Sequence, residues 1–125
     1  MKKPERAFFK KESRLLTAKD FEYLKKGSLV TRTPFLSFYY KKSKDPLSSL
    51  TRIGISISAK TADSHKRNRL KRILKELFRQ SSFKNLGLDI LMVVHPPLKE
   101  DLPFWDIKVK ESFFILGERI AKKNE

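Results

Sequence analysis

The sequence predicts an α+β fold, a compact αβββαβα sandwich with one sheet and three helices, and three segments carry that prediction. Arg52-Ile-Gly-Ile-Ser-Ile-Ser58 alternates strictly, with Ile53, Ile55 and Ile57 on one side and Gly54, Ser56 and Ser58 on the other. Period-2 alternation marks a strand with one buried face. In KRNRLKRILKELFR (66–79), Leu70, Ile73, Leu74, Leu77 and Phe78 recur at the i, i+3, i+4, i+7, i+8 spacing of an amphipathic helix. LDILMVV (88–94) is a continuous apolar run of strand length, the pattern of a strand buried on both faces. At 125 residues the chain has the size of one domain.

The remaining elements follow in order. Residues 1–13 are polar and basic, with Phe8 and Phe9 as their apolar members, and are expected to form a flexible basic arm ahead of a single domain at 14–125. Thr17 and Asp20 have capping-box spacing, Leu16 and Phe21 occupy the two positions of a hydrophobic staple, and Gly27 suits the residue after a helix end. A helix over Thr17–Lys26 is therefore expected. A short extended piece near Leu29–Thr31 is expected to extend the sheet. FLSFYY (35–40) is an aromatic-rich strand bounded by Pro34 and the polar loop 41–49. The length of that loop suggests that this strand and the Ile-rich strand form an antiparallel pair. Asp63 or Ser64 can cap the 66–79 helix. His95-Pro-Pro ends the apolar strand, and Trp105, Val109, Phe113, Leu116 and Ile120 give a last helix over about 104–122, with Gly117 inside it.

Charge narrows the function. The formal net charge is +15, and residues 1–80 hold 22 Lys and Arg against 7 Asp and Glu, while the rest of the chain is balanced. An anionic partner is expected for such a surface, built from the first two thirds of the chain. No apolar run approaches the ~18 residues of a spanning helix, and the charged N-terminus lacks the apolar stretch of a signal peptide. The absence of cysteine excludes disulfides and thiolate metal sites and is compatible with the cytoplasm, the expected location. On a helical wheel, Asn68, Arg72, Lys75 and Arg79 line up opposite the apolar stripe, flanked by Arg69 and Lys71, with Arg67 in the first turn. Seven cations and one anion, Glu76, fall in fourteen residues. Like charges at i and i+4 cost a few tenths of a kcal/mol per pair, so this face is better explained by phosphate contacts than by solvation alone. Aromatics on a sheet beside a basic surface suit single-stranded RNA, whose bases can lie on them. Leu36, Phe38 and Tyr40 share one face of their strand and Phe35 and Tyr39 the other; one set must be core.

Nothing in the chain suggests catalysis by the protein alone. The 14 carboxylates are scattered along the chain, and the four glycines are isolated rather than grouped in a phosphate loop. His65 and His95 have no partner at ligand or triad spacing and read as structural. No bound cofactor and no small-molecule substrate are expected.

Arg67-Asn-Arg-Leu-Lys-Arg72, continuing to Glu76, Phe78 and Arg79, resembles the signature helix of the bacterial ribonuclease P protein subunit, whose pattern runs RNRxKRxxRExFR. Upstream, Arg14-Leu15, Asp20-Phe21, Gly27, the Phe35–Tyr40 strand and Arg52–Ser58 match in order, so the resemblance covers roughly residues 13–122. Three places depart from the pattern. The usual lysine pair after the serine strand is Ala59-Lys60. The usual Gly-Asn-Ala before the helix is Ala62-Asp63-Ser64. A late arginine is Lys75, which keeps charge but loses a bidentate fork.

The resemblance implies a protein that assists an RNA enzyme. The RNA subunit performs Mg²⁺-dependent endonucleolytic removal of the 5′ leader from precursor tRNA, and the protein binds both that RNA and the leader. It implies that Arg67, Asn68, Arg69, Lys71, Arg72, Lys75 and Arg79 meet the ribonuclease P RNA. Phe21, Lys25, Phe38, Tyr40, Lys60 and Arg14 would form the leader cleft, with Lys25 at a position often aromatic in the family. It also implies a left-handed βαβ crossover, against the ordinary handedness rule. A ribosome-associated or general RNA-binding protein is the alternative; it explains charge and aromatics but not the ordered match.

Overall fold

The computed structural model describes residues 22–24, 26–43, 49–57, 62–95 and 105–123. The basic arm at 1–13, the capping box at Thr17, the staple pair, and Arg14, Phe21, Lys25, Ala59 and Lys60 lie outside them.

Four strands form one mixed sheet in the order β1-β2-β4-β3: β1 Leu29–Arg32, β2 Leu36–Lys42, β3 Arg52–Ser56 and β4 Leu88–Val94. Helical residues 22–24 precede β1. Helix α1, Ser64–Arg79, connects β3 to β4, and helix α2, Trp105–Lys123, follows β4. The predicted α+β class is therefore that of the molecule, and the described residues include helix at each of the three predicted places. The expected β2–β3 pairing is not. β2 pairs antiparallel with β4, and β3 pairs parallel with β4 on its other side. The continuous apolar run explains the arrangement: LDILMVV is the segment best suited to lie between two strands, and it takes that place away from a hairpin. β3–α1–β4 is the resulting parallel crossover.

Register then sorts the side chains onto two faces. Phe38 faces Met92, Tyr40 faces Ile90, and Ile53 and Ile55 face Ile90 and Met92 from the other side. This face is covered by the helices. Leu70, Leu74 and Phe78 of α1 and Val109, Phe113, Leu116 and Ile120 of α2 complete one buried cluster with it. Asp63 supplies the predicted N-cap, its carboxylate accepting from the Lys66 amide at 2.9 Å.

A 3₁₀ turn at Ser82–Asn85, which periodicity does not reveal, inserts Phe83 into the core. Its ring lies 6.3 Å from that of Phe38 and 5.6 Å from that of Phe113. Buried Thr51 fastens this turn: its hydroxyl donates to the Phe83 carbonyl at 2.8 Å and accepts from the Leu86 amide at 3.1 Å. Phe83 also explains Gly117, since a Cβ there would sit 2.7 Å from the Phe83 ring. Alanine in place of a mid-helix glycine normally gains about 1 kcal/mol of helix propensity. Here Gly117→Ala is expected to lose about 1–3 kcal/mol instead, because the ring must move within a packed core. Urea unfolding of the two proteins reads the sign directly.

Candidate nucleic-acid interface

Two surfaces carry the candidate residues. The first is the outer face of α1. Its apolar stripe holds the helix to the core, which leaves Asn68, Arg69, Arg72 and Lys75 exposed and Arg67, Lys71 and Arg79 half-buried. The repulsion expected along this face is relieved in part by specific pairs. Arg69 forms an ion pair with Asp106 at the start of α2, and Arg67 Nη1 donates to the Ala62 carbonyl at 2.8 Å. Arg79 closes on Glu76, with Nε 3.1 Å from Oε1. The Arg79 hydrogen bond holds the Glu76 carboxyl below its usual range, and Glu76 raises the Arg79 guanidinium in return. Lys71, Arg72 and Lys75 have no such carboxylate among the described residues, and Arg72 and Lys75, the exposed two, present the least compensated charge.

The second surface is the sheet face turned away from α1 and α2. Register places Val30 and Arg32 of β1, Ser37, Tyr39 and Lys41 of β2, Asp89, Leu91 and Val93 of β4, and Arg52, Gly54 and Ser56 of β3 on it. Tyr39, Leu91 and Val93 are half-buried and Arg32 and Ser56 exposed, so this face is partly open. It does not contain Phe38 or Tyr40, the two strand aromatics expected in the leader cleft. Phe38 is fully buried beneath α2, its ring 5.7 Å from that of Phe113 in an edge-on contact, and Tyr40 is 5% exposed with its phenol pushed up by burial. Both faces of FLSFYY carry aromatics, and the neighbouring Ile90 and Met92 make the even-numbered set the core. Among the described strand residues Tyr39 is the aromatic that reaches the open face, which the sequence pattern alone leaves undecided. Three of the other cleft candidates on the chain's first third, Arg14, Phe21 and Lys25, and Lys60 after β3, fall outside the described residues.

Fixed polar contacts line this second face. Asp89, fully buried, binds Arg52 bidentately, with Nε–Oδ1 3.0 Å and Nη2–Oδ2 2.8 Å. At the other end of β4, the His95 ring is hydrogen-bonded to the hydroxyl of buried Ser37. Loss of solvent, and secondarily the charge of Arg32, holds the His95 imidazole below its usual pKa. A lowered folded-state pKa favours the neutral ring, so its contribution to stability is present above the unfolded-state value near 6.5 and is lost as pH falls through the folded one. Stability is expected to decline on acidification below about pH 6.5, and His95→Gln should flatten that part of the profile. Thermal unfolding between neutral and mildly acidic pH tests this; an unchanged slope in the variant contradicts it.

The described carboxylates nearest these surfaces are engaged: Asp63 by the α1 N-terminus, Glu76 by Arg79, Asp89 by Arg52 and Asp106 by Arg69. Among the described residues no three His, Asp or Glu side chains gather in a way that would hold a metal ion, and none of the described helices is long and apolar enough to cross a membrane.

The similarities to known proteins point to one family. The Ribonuclease P family model matches residues 9–110. The ribonuclease P protein component of Pseudoalteromonas atlantica is 34% identical over 121 residues, covering 94% of this chain and 93% of that protein. That of Legionella pneumophila strain Corby is 33% identical over 91 residues, 72% of this chain and 75% of its own length. Among solved structures, the ribonuclease P protein from Thermotoga maritima superposes with a TM-score of 0.68 at 25% identity, covering 86% of this chain and 96% of that one. The Staphylococcus aureus ribonuclease P protein gives 0.69 at 25% identity, covering 90% and 97%.

Proposed function

The chain belongs to the ribonuclease P protein family, the protein component of a tRNA-processing endoribonuclease, and from that membership we propose how its two surfaces divide the work. The outer face of α1 docks on the ribonuclease P RNA, with Arg72 and Lys75 as its least compensated cations and Asn68, Arg69 and Lys71 beside them. The open sheet face receives the single-stranded 5′ leader of precursor tRNA, and Tyr39 offers a ring on which a base can stack. The observation that supports this reading is the separation of the two surfaces. One lies on the helix side of the sheet and the other on its far side, so one small protein can touch two RNAs at once.

The chemistry belongs to the RNA subunit. Phosphodiester hydrolysis needs Mg²⁺ at the scissile phosphate, and the described carboxylates nearest the two surfaces, Asp63, Glu76, Asp89 and Asp106, are each held by a cation or a helix end. The protein's contribution is positive charge. Placed between two polyanions, it lowers their repulsion and raises substrate affinity, and it favours metal binding on the RNA at low Mg²⁺. In this reading the protein works in the cytoplasm, where precursor tRNA is made.

Binding to a ribonuclease P RNA is expected to weaken steeply with salt. The slope of log affinity against log salt should be roughly 0.7–0.9 per phosphate neutralised. Filter binding over a salt series measures it; affinity that stays flat from low to moderate salt would contradict the electrostatic account.

A further inference from the structure

The end of the first helical segment is held to the sheet by contacts of Lys41 and Tyr23. Helical residues 22–24 lead to Gly27, whose φ of +83° turns the chain out of the helix. The carbonyls of a helix's last turn have no partner within the helix, and they carry the negative end of its dipole. Two of them, on Tyr23 and Lys26, accept from the Lys41 ammonium of β2, the first at 2.8 Å. The same ammonium lies 3.8 Å from the centroid of the Tyr23 ring, and the Tyr23 hydroxyl donates to the Lys42 carbonyl at 2.9 Å. Of these four contacts between a short segment and the last two residues of one strand, three are made by Lys41 and the fourth reaches Lys42 beside it. Lys41 points to the open sheet face, on the side of Tyr39 and Asp89 rather than of the core.

We infer that Lys41 is a positioning residue: it latches the first helical segment over the open face of the sheet and so sets the affinity for the precursor's leader without binding the RNA itself. The inference rests on the leader reading given above. A cation placed on an RNA-facing sheet would ordinarily be assigned to a phosphate. Here its donors are directed at protein carbonyls, and its effect on the leader is exerted through the segment it holds.

The test uses the reconstituted holoenzyme with precursor tRNAs carrying a long leader and a minimal one. In wild type the long leader should lower KM. Lys41→Met should remove most of that advantage, raising KM for the long leader roughly three- to tenfold, the size of one net hydrogen bond. It should leave kcat, KM for the minimal leader and affinity for the RNA subunit unchanged. Lys41→Arg, which can still donate to two carbonyls, should restore the advantage. Tyr23→Phe, a gentler change that removes only the hydroxyl contact, should move KM in the same direction by less, and faster amide exchange at residues 22–27 should accompany both losses. Unchanged KM in Lys41→Met overturns the latch, as does a parallel loss for both leaders and for RNA-subunit binding, which would mark a general folding role. A wild-type enzyme that shows no leader-length advantage would overturn the leader reading itself, and with it the inference.

Discussion

Phe38→Ala is expected to cost about 3–5 kcal/mol of folding stability, because it empties a fully buried aromatic site that the surrounding core cannot refill. The ring lies against Phe83 and Phe113 and shares a cluster that joins the sheet, the 3₁₀ turn and α2. For a domain of this size such a loss removes a large part of the total stability. Tyr39→Ala, one residue away, should behave in the opposite manner. Its half-buried ring is on the open face, so stability should change little, while affinity for long-leader precursor falls by about 1–3 kcal/mol if a base stacks there. Denaturant unfolding and leader-dependent binding, measured on both variants, separate the two roles. A Phe38→Ala protein of wild-type stability would contradict the assignment of faces.

The second large effect concerns α1. Arg72→Glu combined with Lys75→Glu should weaken binding to the ribonuclease P RNA by about a hundredfold at moderate salt, on the order of tenfold for each phosphate contact reversed. The salt slope should fall at the same time. Arg79→Glu offers the contrast, since Arg79 is already paired with Glu76 and its charge is less available. It should produce the smaller loss. A loss from Arg79→Glu half as large, in log units, as that of the double variant would mean that the helix acts only through its net charge.

These contrasts also show what a sequence can and cannot reveal. The α1 helix was legible because five apolar residues at helical spacing fix both the element and its inward side; the outward side follows by subtraction. β3 was legible for the same reason, its alternation having one apolar face. FLSFYY was not, because aromatics occupy both of its faces. Only the neighbouring strand, with Ile90 and Met92 in register beside Tyr40 and Phe38, decides which set is buried. The strand order was hidden by a related ambiguity. A polar loop permits a hairpin but does not require one, and the apolar run at 88–94 took the central position. Contacts between distant residues leave no periodic trace: the Arg52–Asp89 pair, the Thr51 anchor beneath Phe83 and the Lys41 latch each join segments more than fourteen residues apart.

The ordered match to the family added what periodicity lacks, namely an expectation of which face meets RNA. Its transfer residue by residue was less secure. Phe38 matches a family position, yet here it is core, because burial depends on the side chains around a position as well as on the position.

If this chain assists an RNA enzyme, it cuts no RNA itself. The most direct measurement is cleavage of a 5′-extended precursor tRNA at low Mg²⁺, with the protein alone, a matched ribonuclease P RNA alone, and the two together. Cleavage at the mature 5′ end is expected with the two together and none with the protein alone. Cleavage by the protein alone, or no gain on adding it to the RNA, would contradict that role.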